Sequence, residues 1–264
     1  MKKKIIAIVQ ARIGSSRLRG KVLKKINGKE TIILLLERLS RSKKIEDIVV
    51  AIPDTKENDI LFNCLQKHKY KIFRGSEKNV LKRYYDCAKK FNISNILRIT
   101  GDCPLVDPKL VDKVATVYDL NNYDYVSNIE DRTFPDGMDI EFFSFKTLSK
   151  IHYNVISQYD KEHVTKYVLR TNIFSKYNYK RKNENFSHLR ITLDTKDDFL
   201  LIRKIFKNFK DNLFTLTEII NFYKKNRKIF LNNKNKSNIE EFKSLSTGQK
   251  FWQRAKQSIA GGNM

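Results

Sequence analysis

The chain has 264 residues, 41% of them hydrophobic and 31% charged, which is enough for a sizeable α/β core and excludes a disordered chain. Three cysteines, Cys64, Cys87 and Cys103, without C-x-x-C spacing argue against a disulfide framework or a zinc ribbon and make a reducing, cytoplasmic setting the default. A net charge of +24 would suit a polyanion, but the basic residues are scattered, lysine-rich and accompanied by abundant Asn and Ile, so we expect a small, highly charged substrate and no nucleic acid.

The opening MKKKIIAIVQARIG has a basic flank, but its apolar run is too short for a signal-peptide core or a bilayer span, so no membrane partner is expected. Residues 4–10 (KIIAIVQ) read as a buried strand feeding a loop that contains Gly14, Ser15, Ser16 and Gly20. Residues 32–39 carry helical spacing, and 47–52 (DIVVAI) form a second buried strand stopped by Pro53. A helix at 57–68, an extended piece at 70–73, a helix at 79–91 and an extended piece at 95–100 follow. This alternation predicts βαβ units and a parallel sheet with helices on both faces.

Beyond about residue 120 the pattern becomes irregular. Extended pieces are expected at 123–128 and 138–143, a polar helix at 159–170, a hairpin across 173–193, and helices at 196–206 and 216–223. Residues 232–238 (NNKNKSN) lack apolar side chains and read as linker. The expected organisation is one domain over 1–228, a linker over 229–249 and the start of a second unit at 250–264.

Residues 10–23, QARIGSSRLRGKVL, combine a strand end with glycines, serines and four cations. Gly14 and Gly20 let backbone amides approach phosphate oxygens, Ser15 and Ser16 add short donors, and Arg12, Arg17, Arg19 and Lys21 supply charge. Five residues separate the two glycines and Val22 follows Lys21, so neither the P-loop nor the dinucleotide fingerprint fits. In RITGDCPLVDP (98–108) a strand delivers Asp102 at its carboxyl end beside Gly101, where an open α/β sheet binds ligands, so Asp102 is a candidate Mg²⁺ ligand or a helix cap. Asp107 before Pro108 suits the cap better. In RITLDTKDDF (190–199) another expected strand ends in Asp194, a second ligand or a cap. In DRTFPDGMDIEFF (131–143) a Pro-Asp-Gly turn precedes Asp139 and Glu141, two acids expected on one side of an extended run, facing solvent, an acceptor or a metal.

Together these stretches, with FRGSEKNVLKRYYDCA (73–88), EHVTKY (162–167) and LDTKDDF (193–199), resemble the CTP-dependent cytidylyltransferase family of CMP-sugar-acid synthetases, and its spore-coat-polysaccharide branch above all. The resemblance covers roughly residues 1–225. It implies a Rossmann-like nucleotide-diphospho-sugar-transferase α/β sandwich with a mixed, mostly parallel sheet. It further implies that Arg12 and Lys21 grip the phosphates of CTP, that Asp102 and Asp194 hold Mg²⁺, and that Gln10, Ala11, Gly14, Ser15, Ser16, Arg17, Gly20, Arg98 and Gly101 contact the nucleotide. Arg132, Asp136, Asp139, Glu141, His163 and Thr165 are expected on the acceptor side. Arg19 stands where the family usually has proline.

The implied reaction is attack of an acceptor oxygen on the α-phosphorus of CTP with loss of pyrophosphate. The acceptor is either a sugar acid or a small phosphorylated or phosphonylated molecule, in surface polysaccharide or glycoconjugate biosynthesis. A glycosyltransferase of the same fold and a non-catalytic nucleotide-binding module are the alternatives. The first would favour a D-x-D metal motif, which does not follow residues 95–100. Residues 250–264 (KFWQRAKQSIAGGNM), with Trp252, resemble the start of class III pyridoxal-phosphate aminotransferases, so a fused aminotransferase in a longer, bifunctional protein is expected, alongside a homodimer as the further partner.

Overall fold

The computed structural model describes residues 3–209 and 211–233, so the expectations for Trp252, the aminotransferase-like segment and most of the linker lie outside the described residues. The elements run β1 (Ile5–Gln10), a 3-10 turn (Lys21–Leu23), β2 (Lys25–Ile26), β3 (Lys29–Glu30), α1 (Thr31–Leu39), β4 (Asp47–Pro53), a second 3-10 turn (Lys56–Asn58), α2 (Asp59–Lys67), β5 (Lys71–Gly75), α3 (Val80–Lys90) and β6 (Asn95–Thr100). They continue with α4 (Pro108–Leu120), β7 (Tyr125–Ser127), β8 (Glu141–Ser144), α5 (Phe145–Asn154), α6 (Gln158–His163), α7 (Lys166–Arg170), β9 (Lys176–Asn178), α8 (Lys196–Asn208) and α9 (Leu216–Lys225).

Seven strands form one sheet in the order β5-β4-β1-β6-β8-β7-β9. Neighbours pair in parallel except β8, which runs antiparallel to both β6 and β7. The expected mixed, mostly parallel α/β sheet is therefore what the chain forms. Strand β1 lies at the centre and is buried on both faces: Ile5, Ala7 and Val9 join a core with α1, α2, α4, α8 and α9, while Ile6 and Ile8 join a second core with α3, α5 and α7. Two-sided burial is why this strand reads as a continuous apolar run instead of an alternating one. No helix among the described residues is long and apolar enough to cross a membrane.

Four expectations need correction. The polar helix at 159–170 is two short helices, because Val164 turns the chain at φ 59° and ψ −61° while its side chain is fully buried. The hairpin over 173–193 does not form: β9 pairs in parallel with β7, Arg190 makes a lone bridge with Asp136, and the intervening residues 180–188 (KRKNENFSH) offer no apolar alternation to pair. Accordingly Asp194 does not end a strand. The strand expected from Met138 starts only at Glu141, since the Asn128 side chain takes the place of a backbone neighbour, accepting from Ile140 N at 2.9 Å and donating to Met138 O at 2.7 Å. Asp107 caps α4 as expected, accepting from Lys109 N, and α5, capped by Ser144, is a further helix beyond those read from the sequence.

Candidate active site

The carboxyl ends of β1 and β6 open into a cleft of about 400 Å³. Gly101 allows the two ends to meet: its amide donates to Gln10 O at 2.8 Å, and a Cβ there would lie 2.9 Å from that same oxygen. The loop after β1 is pinned from inside, with Gly20 N donating to Ile13 O at 3.0 Å and Ile13 N to the buried side chain of Asn58 at 2.9 Å. Gln10, Ala11, Arg12, Gly14, Ser15 and Ser16 line the cleft, and so do Arg17, Lys21, Arg98, Gly101 and His163. Gly20 is absent from that lining; it takes the left-handed backbone conformation at φ 66°. Arg19 turns outward to pair with Glu57, so replacing the family's proline there takes nothing from the cleft.

Lys21 is the centre of the charge arrangement. Its Nζ lies 2.9 Å from Asp102 Oδ2 and 2.7 Å from Asp194 Oδ1, with only 12% of the side chain exposed. Burial alone would lower the lysine pKa, but the two carboxylates together hold it above its ordinary value. Burial would likewise raise Asp102, yet Lys21 and a hydrogen bond from Thr100 bring it down to about 2. Asp194 also meets Arg17 at 3.1 Å and Arg190 at 2.6 Å. It is not the cap of α8; Thr195 caps that helix in a reciprocal box with Asp198, whose carboxylate also accepts from Asp194 N. Both carboxylates thus reach one point at the cleft floor, a hard-oxygen pair that fits a cation of the Mg²⁺ type beside phosphate oxygens.

The expected acceptor residues divide: Arg132, Asp136 and Asp139 stay together in one ion-paired cluster, with Arg132 4.0 Å from Asp136, while Glu141 pairs elsewhere. Arg132, Asp136, Asp139, Glu141 and Thr165 are all missing from the cleft lining. Thr165, the residue that precedes α7, is buried. Asp139 pairs with Arg132, and Asp136 pairs with Arg190 at 2.6 Å, so Arg190 bridges Asp136 to Asp194. Burial and the neighbouring Asp139 raise Asp136 to about 6 in spite of Arg132 and Arg190. Glu141 departs furthest from expectation. It is 1% exposed, forms an ion pair with Arg98 and accepts from Tyr125 OH at 2.7 Å, while Arg98 reaches on to Gln10 Oε1 at 3.2 Å. Glu141 and Asp139 therefore do not act as a pair; Glu141 is the buried counter-charge that holds Arg98 against the cleft wall.

Arg83 and Glu162 line the cleft and were not singled out from the sequence. Arg83 is 2% exposed, donates to Ser76 O, leaves its buried Nε without a partner, and is lowered by burial to about 10. Its position in 73–88 was the available signal. His163 stacks at an angle on Tyr159, 4.4 Å between ring centres, at the rim.

The profile of the family described as Cytidylyltransferase matches residues 6–254. The chain is 31% identical over 212 residues to the spore coat polysaccharide biosynthesis protein SpsF of Bacillus subtilis, covering 77% of this chain and 86% of that protein. It is 33% identical over 120 residues to 3-deoxy-manno-octulosonate cytidylyltransferase of Leptospira interrogans, covering 44% of this chain and 47% of that one. Among solved structures, a cytidylyltransferase from Leptospira borgpetersenii superposes with a TM-score of 0.83 at 33% identity, covering 89% of this chain and 98% of the other. With the matching profile spanning nearly the whole chain, from within β1 past the last described residue, the chain belongs to the cytidylyltransferase family.

Proposed function

We propose that this chain transfers CMP from CTP to a sugar acid with release of pyrophosphate, in the building of a surface polysaccharide or glycoconjugate. The observation that carries this reading is the position of Lys21 Nζ, 2.9 Å from Asp102 and 2.7 Å from Asp194, at the floor of a cleft walled by the loop of residues 11–20. The triphosphate lies along that loop, its charge met by backbone amides, Arg12, Arg17 and Lys21. Asp102 and Asp194 would hold Mg²⁺, which when bound neutralises phosphate charge as a Lewis acid. Lys21 is freed from its two carboxylates to follow the negative charge that grows on the phosphoryl oxygens. The acceptor's hydroxyl oxygen forms the new bond to the α-phosphorus, the bond to the β-phosphate oxygen breaks, and the hydroxyl proton passes to solvent. Catalysis is positioning and electrostatics, with no nucleophilic side chain on the path.

Arg83, buried in the same cleft, suits an acceptor that carries its own carboxylate. The name of the Leptospira interrogans relative, which specifies a sugar acid, supports that class. The test is pyrophosphate release with each nucleoside triphosphate, Mg²⁺ and a panel of sugar acids, with the product identified by mass. A CMP conjugate formed from CTP alone is the expected result. Release with no triphosphate, or consumption of a sugar nucleotide instead, overturns the reading.

A further inference from the structure

Glu30, Cys64 and His68 stand apart from the cleft, and none of them lines it. One ligand atom from each lies within 4.8 Å of the others. Cys64 is in the last turn of α2 and His68 is that helix's C-terminal cap residue, so the i, i+4 spacing puts both on one side. Glu30 precedes α1 but makes no capping bond with its side chain; its carboxylate has Lys25 at 3.5 Å as its ion-pair partner. Among the described residues the Cys64 thiol and the His68 ring have no hydrogen-bond partner, so nothing competes for their donor atoms.

We propose that Glu30, Cys64 and His68 form a zinc site that staples the β2–β3 hairpin to α2. A thiolate, an imidazole and a carboxylate are the donor set of a borderline-soft cation, whereas Mg²⁺ and Ca²⁺ take oxygen alone. Ligands of one tetrahedral zinc lie about 3.5 Å apart, a contraction from separations within 4.8 Å that rotamer changes of Glu30 and exposed His68 together would supply. Three protein ligands leave a fourth position for water. Binding releases the Cys64 proton to solvent, and the resulting thiolate with Glu30 balances the two charges of the ion. Next to Glu30, Thr31 donates from its hydroxyl to Lys21 O at 2.8 Å and from its amide to Lys24 O at 2.9 Å. The staple is thus one residue from the bonds that hold the backbone of Lys21.

The test uses the full chain stripped of metal by a chelator, with Co²⁺ as the spectroscopic probe and Zn²⁺ followed by metal content and thermal unfolding. One equivalent of Co²⁺ should give a thiolate-to-metal band in the near ultraviolet, absent in Cys64→Ser. His68→Ala and Glu30→Gln should each weaken binding by about 10-fold or more, while Asp102→Asn leaves the band unchanged. Zn²⁺ should raise the Tm of the natural chain and not of Cys64→Ser. No thiolate band, or a band equally strong in His68→Ala and Glu30→Gln, overturns the site.

Discussion

The amide of Leu193 donates to the carbonyl of Asp102 at 2.8 Å, and the hydroxyl of Thr192 donates to the same oxygen at 3.0 Å. Backbone bonding therefore joins the loop after β6 to the segment before α8, and the carboxylates of Asp102 and Asp194 are brought together independently of the lysine between them. Lys21→Ala should accordingly fold, with the two acids still adjacent. Its turnover should fall by roughly 10²-fold or more, as when a preorganised charge partner is removed. Pyrophosphate release at saturating CTP measures this, and undiminished turnover would remove Lys21 from the mechanism.

The same adjacency sets an expectation for divalent cations. Chelation should abolish turnover and Mg²⁺ should restore it, with Asp102→Asn and Asp194→Asn each raising the Mg²⁺ concentration for half-maximal rate by about 10-fold or more. Rates that ignore chelator would show that the two carboxylates serve the neighbouring cations and no metal.

The first half of the fold is legible because two-sided burial writes β1, β4 and β6 as short β-branched runs, and the phosphate loop is legible because its donors are contiguous in sequence. The second half hides for physical reasons. Asn128 replaces a backbone partner with its side chain, and Val164 breaks a polar helix in a conformation no β-branched residue advertises. The hairpin β2–β3 carries a strong turn signal in its Asn27-Gly28 pair, with both residues at positive φ, but strands of two residues each leave no alternation to read. The setting of Glu141 is not legible because alternation along a strand tells which side a carboxylate takes and not what waits there; its partner Arg98 comes from β6, across the sheet.

That partnership makes its own prediction. Glu141→Ala leaves the guanidinium of Arg98 enclosed without its counter-charge, and Tyr125 OH without its acceptor. Removing one member of a buried pair typically costs about 3–5 kcal/mol. Denaturant unfolding should show a loss of this order, with the KM for CTP rising as Arg98 and Gln10 lose their fixed positions. A change confined to acceptor KM, with stability intact, would return Glu141 to the acceptor side.

Asp136 predicts a pH dependence whose sign can be worked out. Burial and Asp139 raise its folded pKa to about 6, against about 3.9 for an aspartate in the unfolded chain. Between these values the folded protein binds the proton and the unfolded chain has released it. The stability contributed by this group is therefore fully present below about pH 4 and declines as pH rises through about 6, with a slope of at most about 1.4 kcal/mol per pH unit. Asp136→Asn keeps the shape but cannot titrate, while Arg190 retains Asp194 and Asp198 as partners. Relative to the natural chain, the variant should gain stability from pH 4 to pH 7, measured by urea midpoints at fixed ionic strength. Parallel profiles over that interval would mean that the ion pair with Arg190 keeps Asp136 ionised throughout.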